Sequence, residues 1–162
     1  MIKVLFVLCL LLSSVTGQSF HFSELRYSDA INHYTQLNGT IDFQKDSLEI
    51  SYKHPAVDFF YDGEDIVYTK DGKEMPLDAT QKAHMMQYFD ILKMLHVGDE
   101  SELKSEFTMS HSHGFTLLKP TGTLRYYIEK IELTKENNLL EYVKLYLKNN
   151  DYITINIDNE IH

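Results

Sequence analysis

Few residues in this chain have the types and spacing that could do chemistry. His111, Ser112 and His113 form the one metal-like spacing. On a strand, where side chains alternate between faces, the two imidazoles would share a side. A zinc site takes three or four ligands with supporting partners. No acidic residue or third histidine stands beside this pair, and Gly114 reads as a turn. No Ser-His-Asp arrangement, Gly-rich phosphate loop or isolated pair of carboxylates separates itself from the turns. Neither a metal, a cofactor nor a catalytic centre is expected. Asn38-Gly39-Thr40 matches a glycosylation sequon, and a strand opening after a turn explains it equally. What remains is apolar chemistry. Met75, Met85, Met86, Met94 and Met109 fall around one helical segment, and methionine adapts its shape to variable apolar contents. Ordinary core packing accounts for any one of them as well.

The elements that would position such a site begin after a leader. Lys3, the apolar run 4–12 and Val15-Thr16-Gly17 have the pattern of a secretory signal peptide over residues 1–17. The run is too short for a bilayer, which needs about twenty residues. Cys9, the only cysteine, lies inside it. Without the leader one lysine is lost, leaving 14 basic against 24 acidic groups. That balance argues against nucleic acid and anionic membrane surfaces as partners. Residues 18–162 are expected to be a single domain.

Residues 18–34 are the least periodic, and a short helix is slightly preferred there. From Gly39 the alternation is clear. Ile41 and Phe43 alternate with Asp42 and Gln44. Ile50 and Tyr52 alternate with Ser51 and Lys53 before Pro55 ends the run. Strands are predicted over 57–61 and 66–69, the second followed by Asp71-Gly72, a hairpin signal. Asp78 with Gln81 then opens a helix as a capping box, and Gly98 closes it. On this helix Met85, Tyr88, Phe89, Ile91, Leu92 and Leu95 share an apolar arc. Residues 99–107 read as a second, short helix. Strands resume over 115–118. The last third alternates again at Ile131 and Leu133, at Val143, Leu145 and Leu147, and at Ile153, Ile155 and Ile157, with Asn-rich turns between.

Seven or more antiparallel strands with one apolar face, and one substantial helix, predict a mainly β (α+β) fold. The twist of a large single sheet curls it into a half-barrel. One long and one or two short helices would cover the concave face, with 78–96 as a lid over an apolar cavity. The lining residues expected from the strands are Ile41, Phe43, Ile50, Tyr52, Phe59 and Tyr68, then Leu117, Ile131, Val143, Leu145 and Ile155. From the helix they are Met85, Phe89, Leu92 and Leu95.

In order and spacing, five segments resemble the LolA family of periplasmic lipoprotein carriers. They are Asn38-Gly39-Thr40-Ile41 through His54-Pro55; Tyr61-Asp62-Gly63 through Tyr68; Met75-Pro76-Leu77 with Val97-Gly98-Asp99; Phe115 through Pro120; and 128–133 with 152–159. The likeness spans roughly residues 38–160. It implies a periplasmic carrier that shields the acyl chains of lipoproteins, with no chemical step. Its implied partners are acylated lipoproteins, an inner-membrane lipoprotein-releasing ABC transporter and a LolB-like outer-membrane acceptor, and a monomer is expected. The family carries an arginine after its first strand that holds the lid shut. Lys45 is nearest that position and is the lid switch the resemblance implies. A binder of another lipid or glycolipid, or a periplasmic sensing domain, is the alternative. An enzyme of lipid metabolism is a third class, without a visible catalytic constellation.

Overall fold

Short side chains and glycines that accept left-handed backbone set the turns. Asp71-Gly72, His113-Gly114 and Asn137-Asn138 each place two successive residues at positive φ, the backbone that two-residue hairpins require. Between such turns the chain runs as strands, and the computed structural model describes residues 18–158. The first six are β1 (Gln18–Ser28), β2 (His33–Phe43), β3 (Leu48–Tyr52), β4 (Val57–Tyr61), β5 (Ile66–Lys70) and β6 (Lys73–Met75). Two helices follow, α1 (Ala79–Val97) and α2 (Glu100–Glu106). Then come β7 (Phe107–Ser112), β8 (Phe115–Pro120), a 3-10 turn (Thr123–Tyr126), β9 (Ile128–Glu136), β10 (Leu139–Leu147) and β11 (Tyr152–Asp158).

All eleven strands form one open antiparallel sheet in the order β6-β5-β4-β3-β2-β1-β11-β10-β9-β8-β7. The first and last strands pair at its centre, Phe22 opposite Ile157 and Arg26 opposite Ile153. Each half then runs outward by hairpins, and the helices lie between the two halves in sequence. The helix preference for residues 18–34 is overturned: this segment is β1 and the start of β2. The signal-peptide reading of residues 1–17 lies outside the described residues.

One face of the sheet is apolar. Phe20 and Phe22 of β1, Ile41 and Phe43 of β2, Ile50 of β3, Tyr61 of β4, Ile131 of β9, Val143 of β10 and Ile155 of β11 are all buried in a single core with Phe89, Leu92 and Leu95 of α1. Gly39 is required within β2. A Cβ there would stand 2.0 Å from the Ser51 carbonyl oxygen and 3.0 Å from the Phe22 ring. The opposite face carries tyrosines, with Tyr27 stacked on Tyr152 at 5.1 Å and Lys144 4.1 Å over the Tyr152 ring.

Helix α1 starts as its sequence predicts. The Asp78 carboxylate accepts from the backbone N–H groups of Thr80 and Gln81 at 2.9 Å, and Gln81 Oε1 accepts from the Asp78 N–H. Its end differs in detail. Gly98 caps it with extended rather than left-handed backbone, its N–H donating to the Met94 carbonyl at 2.8 Å. Glycine is still needed there, because a Cβ would lie 2.3 Å from that same oxygen. The helix is fixed to β4 by the Phe89 ring, 5.9 Å from Phe59 and 6.0 Å from Tyr61, and by the Tyr61 hydroxyl, which donates to Asp90.

Candidate functional site: an apolar cavity with one buried polar cluster

The inward rows of the central strands change character at one level. Along β2, Phe43 and Ile41 are buried, whereas Leu37 borders open space. In β3 the change falls between Ile50 and Tyr52, in β10 after Val143, and in β11 between Ile155 and Ile153. Beyond that level the rows line a cavity of about 520 Å³. The cavity is bordered by Leu37, Tyr52, Pro55, Val57 and Phe59 from one half of the sheet. From the other half come Tyr127, Ile128, Leu145, Leu147 and Ile153, and from α1 His84, Met85, Gln87, Tyr88, Phe89 and Ile91. Its size is within the range of small-molecule sites, and its wall is mostly carbon.

The exception is set by β1. Its inward row runs Phe20, Phe22, Glu24, Arg26, so it turns from apolar to charged where the cavity begins. Glu24 is only 1% exposed, and a buried carboxylate is tolerable only when paired and hydrogen-bonded. Three donors meet it: Arg26 Nε, the Tyr52 hydroxyl at 2.9 Å and the Tyr88 hydroxyl at 3.2 Å. Arg26 Nη2 also donates to the Tyr52 oxygen at 3.2 Å. Burial lowers the guanidinium pKa, and Glu24 together with the oxygens of Tyr52 and Tyr88 more than offsets this, leaving it above its ordinary value. Burial first, then Glu24, raises both phenols well above theirs, so they stay protonated donors at neutral pH. Tyr88 thereby joins α1 to the centre of the sheet.

Five of the expected lining residues border the cavity: Tyr52, Phe59, Met85, Phe89 and Leu145. Tyr68 stacks behind Phe59 at 5.0 Å. Ile41, Phe43, Ile50, Leu92, Leu95, Ile131, Val143 and Ile155 fill the solid core beside it. Leu117 is on the opposite side of the sheet. It pairs with Glu132, while its neighbour Leu118 pairs with Ile131 and is fully buried. Two adjacent leucines must face opposite ways, and the register with β9 decides which is inside. Lys45 is exposed in the turn between β2 and β3, and the side chain that reaches toward α1 is instead Glu24. Of the five methionines only Met85 borders this cavity; Met75 is exposed on β6.

A second hollow of about 610 Å³ lies beyond the C-terminal end of α1 and is polar, bordered by His96, Asp99, Glu100, His111 and Lys135. The Lys135 ammonium lies 3.3 Å from the His96 carbonyl and 3.4 Å from that of Gly98, at the negative end of the helix dipole. The His96 ring is stacked 3.7 Å from Phe43, and its buried Nδ1 has no partner. Burial and then Lys135 lower its pKa to about 4. His111 bonds Thr116 at 3.1 Å, and His113 sits in the turn. Among the described residues no group of three His, Cys, Asp or Glu could hold a metal.

No family model and no curated protein matches the chain. Solved structures similar to it include two from bacteria. One is a LolA superfamily protein from Nitrosomonas europaea, 7% identical, with 90% of this chain and 86% of that one covered at a TM-score of 0.40. The other is a DUF1329 family protein from Desulfovibrio piger, 10% identical, with 91% and 85% covered at a TM-score of 0.45. Likenesses this distant leave the cavity itself as the ground for a functional reading.

Proposed function

We propose that the protein is a non-enzymatic lipid binder whose cavity receives an acyl chain. The observation that carries this reading is the carbon-lined space of about 520 Å³ between α1 and the sheet. An apolar cavity of roughly 150 Å³ takes one benzene, so this one has room for about twenty carbon atoms. Each buried methylene contributes about 0.8 kcal/mol, enough for a single long chain to bind firmly.

The half-barrel belongs to this proposal. Val57 on β4 and Ile128 on β9 border the same cavity although six strand spacings separate them. At about 4.8 Å per spacing a flat sheet would hold them about 29 Å apart. A sheet bent around α1, with α1 and α2 across its concave face, brings them together. In this arrangement α1 is the lid, latched by Tyr88 on Glu24 rather than by Lys45.

The sequence resemblance to the LolA family supports the more specific form: a periplasmic carrier, handed acylated lipoproteins by an inner-membrane ABC transporter and passing them to a LolB-like acceptor. The volume favours the alternative, a binder of a single-chain lipid, since three long chains would overfill it. Among the described residues no helix is long and apolar enough to cross a membrane. Mass spectrometry of material co-purifying with the protein from periplasm tests the reading. A single-chain lipid in near-stoichiometric amount is expected. Triacylated lipoproteins would favour the carrier form, and a preparation free of lipid that hydrolyses lipid esters would overturn both.

A further inference from the structure

From the polar cluster we infer that the ligand is a neutral acyl ester or amide, whose carbonyl oxygen accepts a hydrogen bond from Arg26, rather than a fatty-acid anion. This deepens the acyl-chain reading and rests on it. Arg26, Tyr52 and Tyr88 form a hydrogen-bonded cluster around Glu24 in a mostly carbon wall whose other polar side chains are His84, Gln87 and Tyr127. Arg26 keeps its side chain 46% exposed beside Glu24, which is 1% exposed. Its Nε is used by Glu24 and its Nη2 by Tyr52, and no hydrogen bond among the described residues uses Nη1. The free N–H groups of the fork are thus the donors this charged cluster leaves to a ligand, beside the neutral donors of Gln87 and Tyr127 and the His84 ring elsewhere on the wall.

Charge decides which acceptor suits them. The Tyr52 and Tyr88 hydroxyls are spent as donors to Glu24. Glu24 already balances the guanidinium, so the cluster is neutral as a whole. A second carboxylate at Nη1 would make two anions around one cation, one of them buried, and the buried one is poorly screened from its like-charged neighbour. A carbonyl oxygen satisfies the same N–H groups without adding charge. The cavity then discriminates by what Glu24 does to Arg26, not by the guanidinium alone. An arginine without that partner would select the acid.

Displacement of Nile red from the full-length protein at neutral pH, by palmitate and by its methyl ester, provides the test. The ester should bind at least tenfold tighter, and Glu24→Gln should reverse the order by freeing the guanidinium charge. Palmitate binding as tightly as the ester in the wild type would overturn the head-group inference while leaving the acyl-chain reading intact. So would an unchanged preference in a folded Glu24→Gln variant. Failure of both ligands to displace the dye would overturn the inference together with the reading beneath it. Should Glu24→Gln not fold, as judged by circular dichroism, the wild-type pair alone decides.

Discussion

Between Met85 and Ile91 helix α1 borders the cavity as well as the core, whereas Leu92 and Leu95, which follow directly, are 1% and 0% exposed in a solid core. Both stretches are apolar, lie on the same arc and belong to one capped helix, so hydrophobicity alone does not distinguish them. What differs is the material opposite. Leu92 and Leu95 share the continuous aliphatic and aromatic packing to which Ile41, Val143 and Ile155 also belong. Tyr88 meets a carboxylate on a strand whose row has become charged. The cavity opens beside this carboxylate and its donors. One half of the helix is therefore packed on core carbon throughout, while the other combines core contacts at Phe89 and Ile91 with polar contacts at Tyr88 and Asp90 and also borders the cavity.

The largest expected effect comes from placing the same charge on each half. Leu92→Glu buries an unpaired carboxylate in the core and should destabilise by about 3–5 kcal/mol or prevent folding, read by thermal denaturation. Met85→Glu, at the half-buried cavity edge, should leave the melting temperature within a few degrees while Nile red binding falls. Equal losses of stability in the two variants would erase the distinction between the halves.

Next in size is the pH response of the core-packed half. The His96 pKa is lowered from 6.5 to about 4, so below 6.5 the unfolded chain takes up a proton that the folded one refuses. His96 should thus let the full stability stand above pH 6.5, lose about 3 kcal/mol as the pH falls to about 4, and add no further loss below. Denaturant unfolding of His96→Phe, which keeps the stack on Phe43 and removes the unpartnered Nδ1, should show a flatter profile across that window. A profile matching the wild type would mean that His96 is not the group responsible.

The smallest effect is expected at the latch. Tyr88→Phe removes one hydrogen bond to Glu24 and should cost about 1 kcal/mol globally. Amide exchange should accelerate over residues 84–89, with residues 92–96 exchanging as before. Uniform acceleration along α1 would show that the helix opens as a unit.

The sequence makes the core-packed regions readable and the cavity region much less so, for one reason. Periodicity reports carbon facing carbon. It therefore locates β4 residue for residue, β3 to within a residue at its end, the capping box of α1 and the Asn-rich turns of the closing strands. It fails along β1 because Phe20 and Phe22 alternate properly, but Glu24 and Arg26 continue the inward row as charges. The pattern breaks where the site begins. Continuing the Phe20-Phe22 spacing through the charges would have found the strand and both polar residues. β7 was hidden similarly: Phe107 and Met109 face inward, but Ser110, His111 and Ser112 dilute the signal before Gly114. Lys45 was placed by family position, and a turn lysine cannot replace a charge that points inward from a strand.

The open sheet has a consequence for how copies of this protein meet. Its two outer strands, β6 and β7, each present a row of backbone groups that another extended chain could pair with. β6 is three residues long and opens with the charged Lys73 and Glu74, so it offers an intruder little length and an unfavourable surface. β7 is six residues long and carries no formal charge apart from its histidine. Any growth of the sheet from one molecule to the next should start at β7, and a lysine in place of Ser110 would be the simplest guard against it.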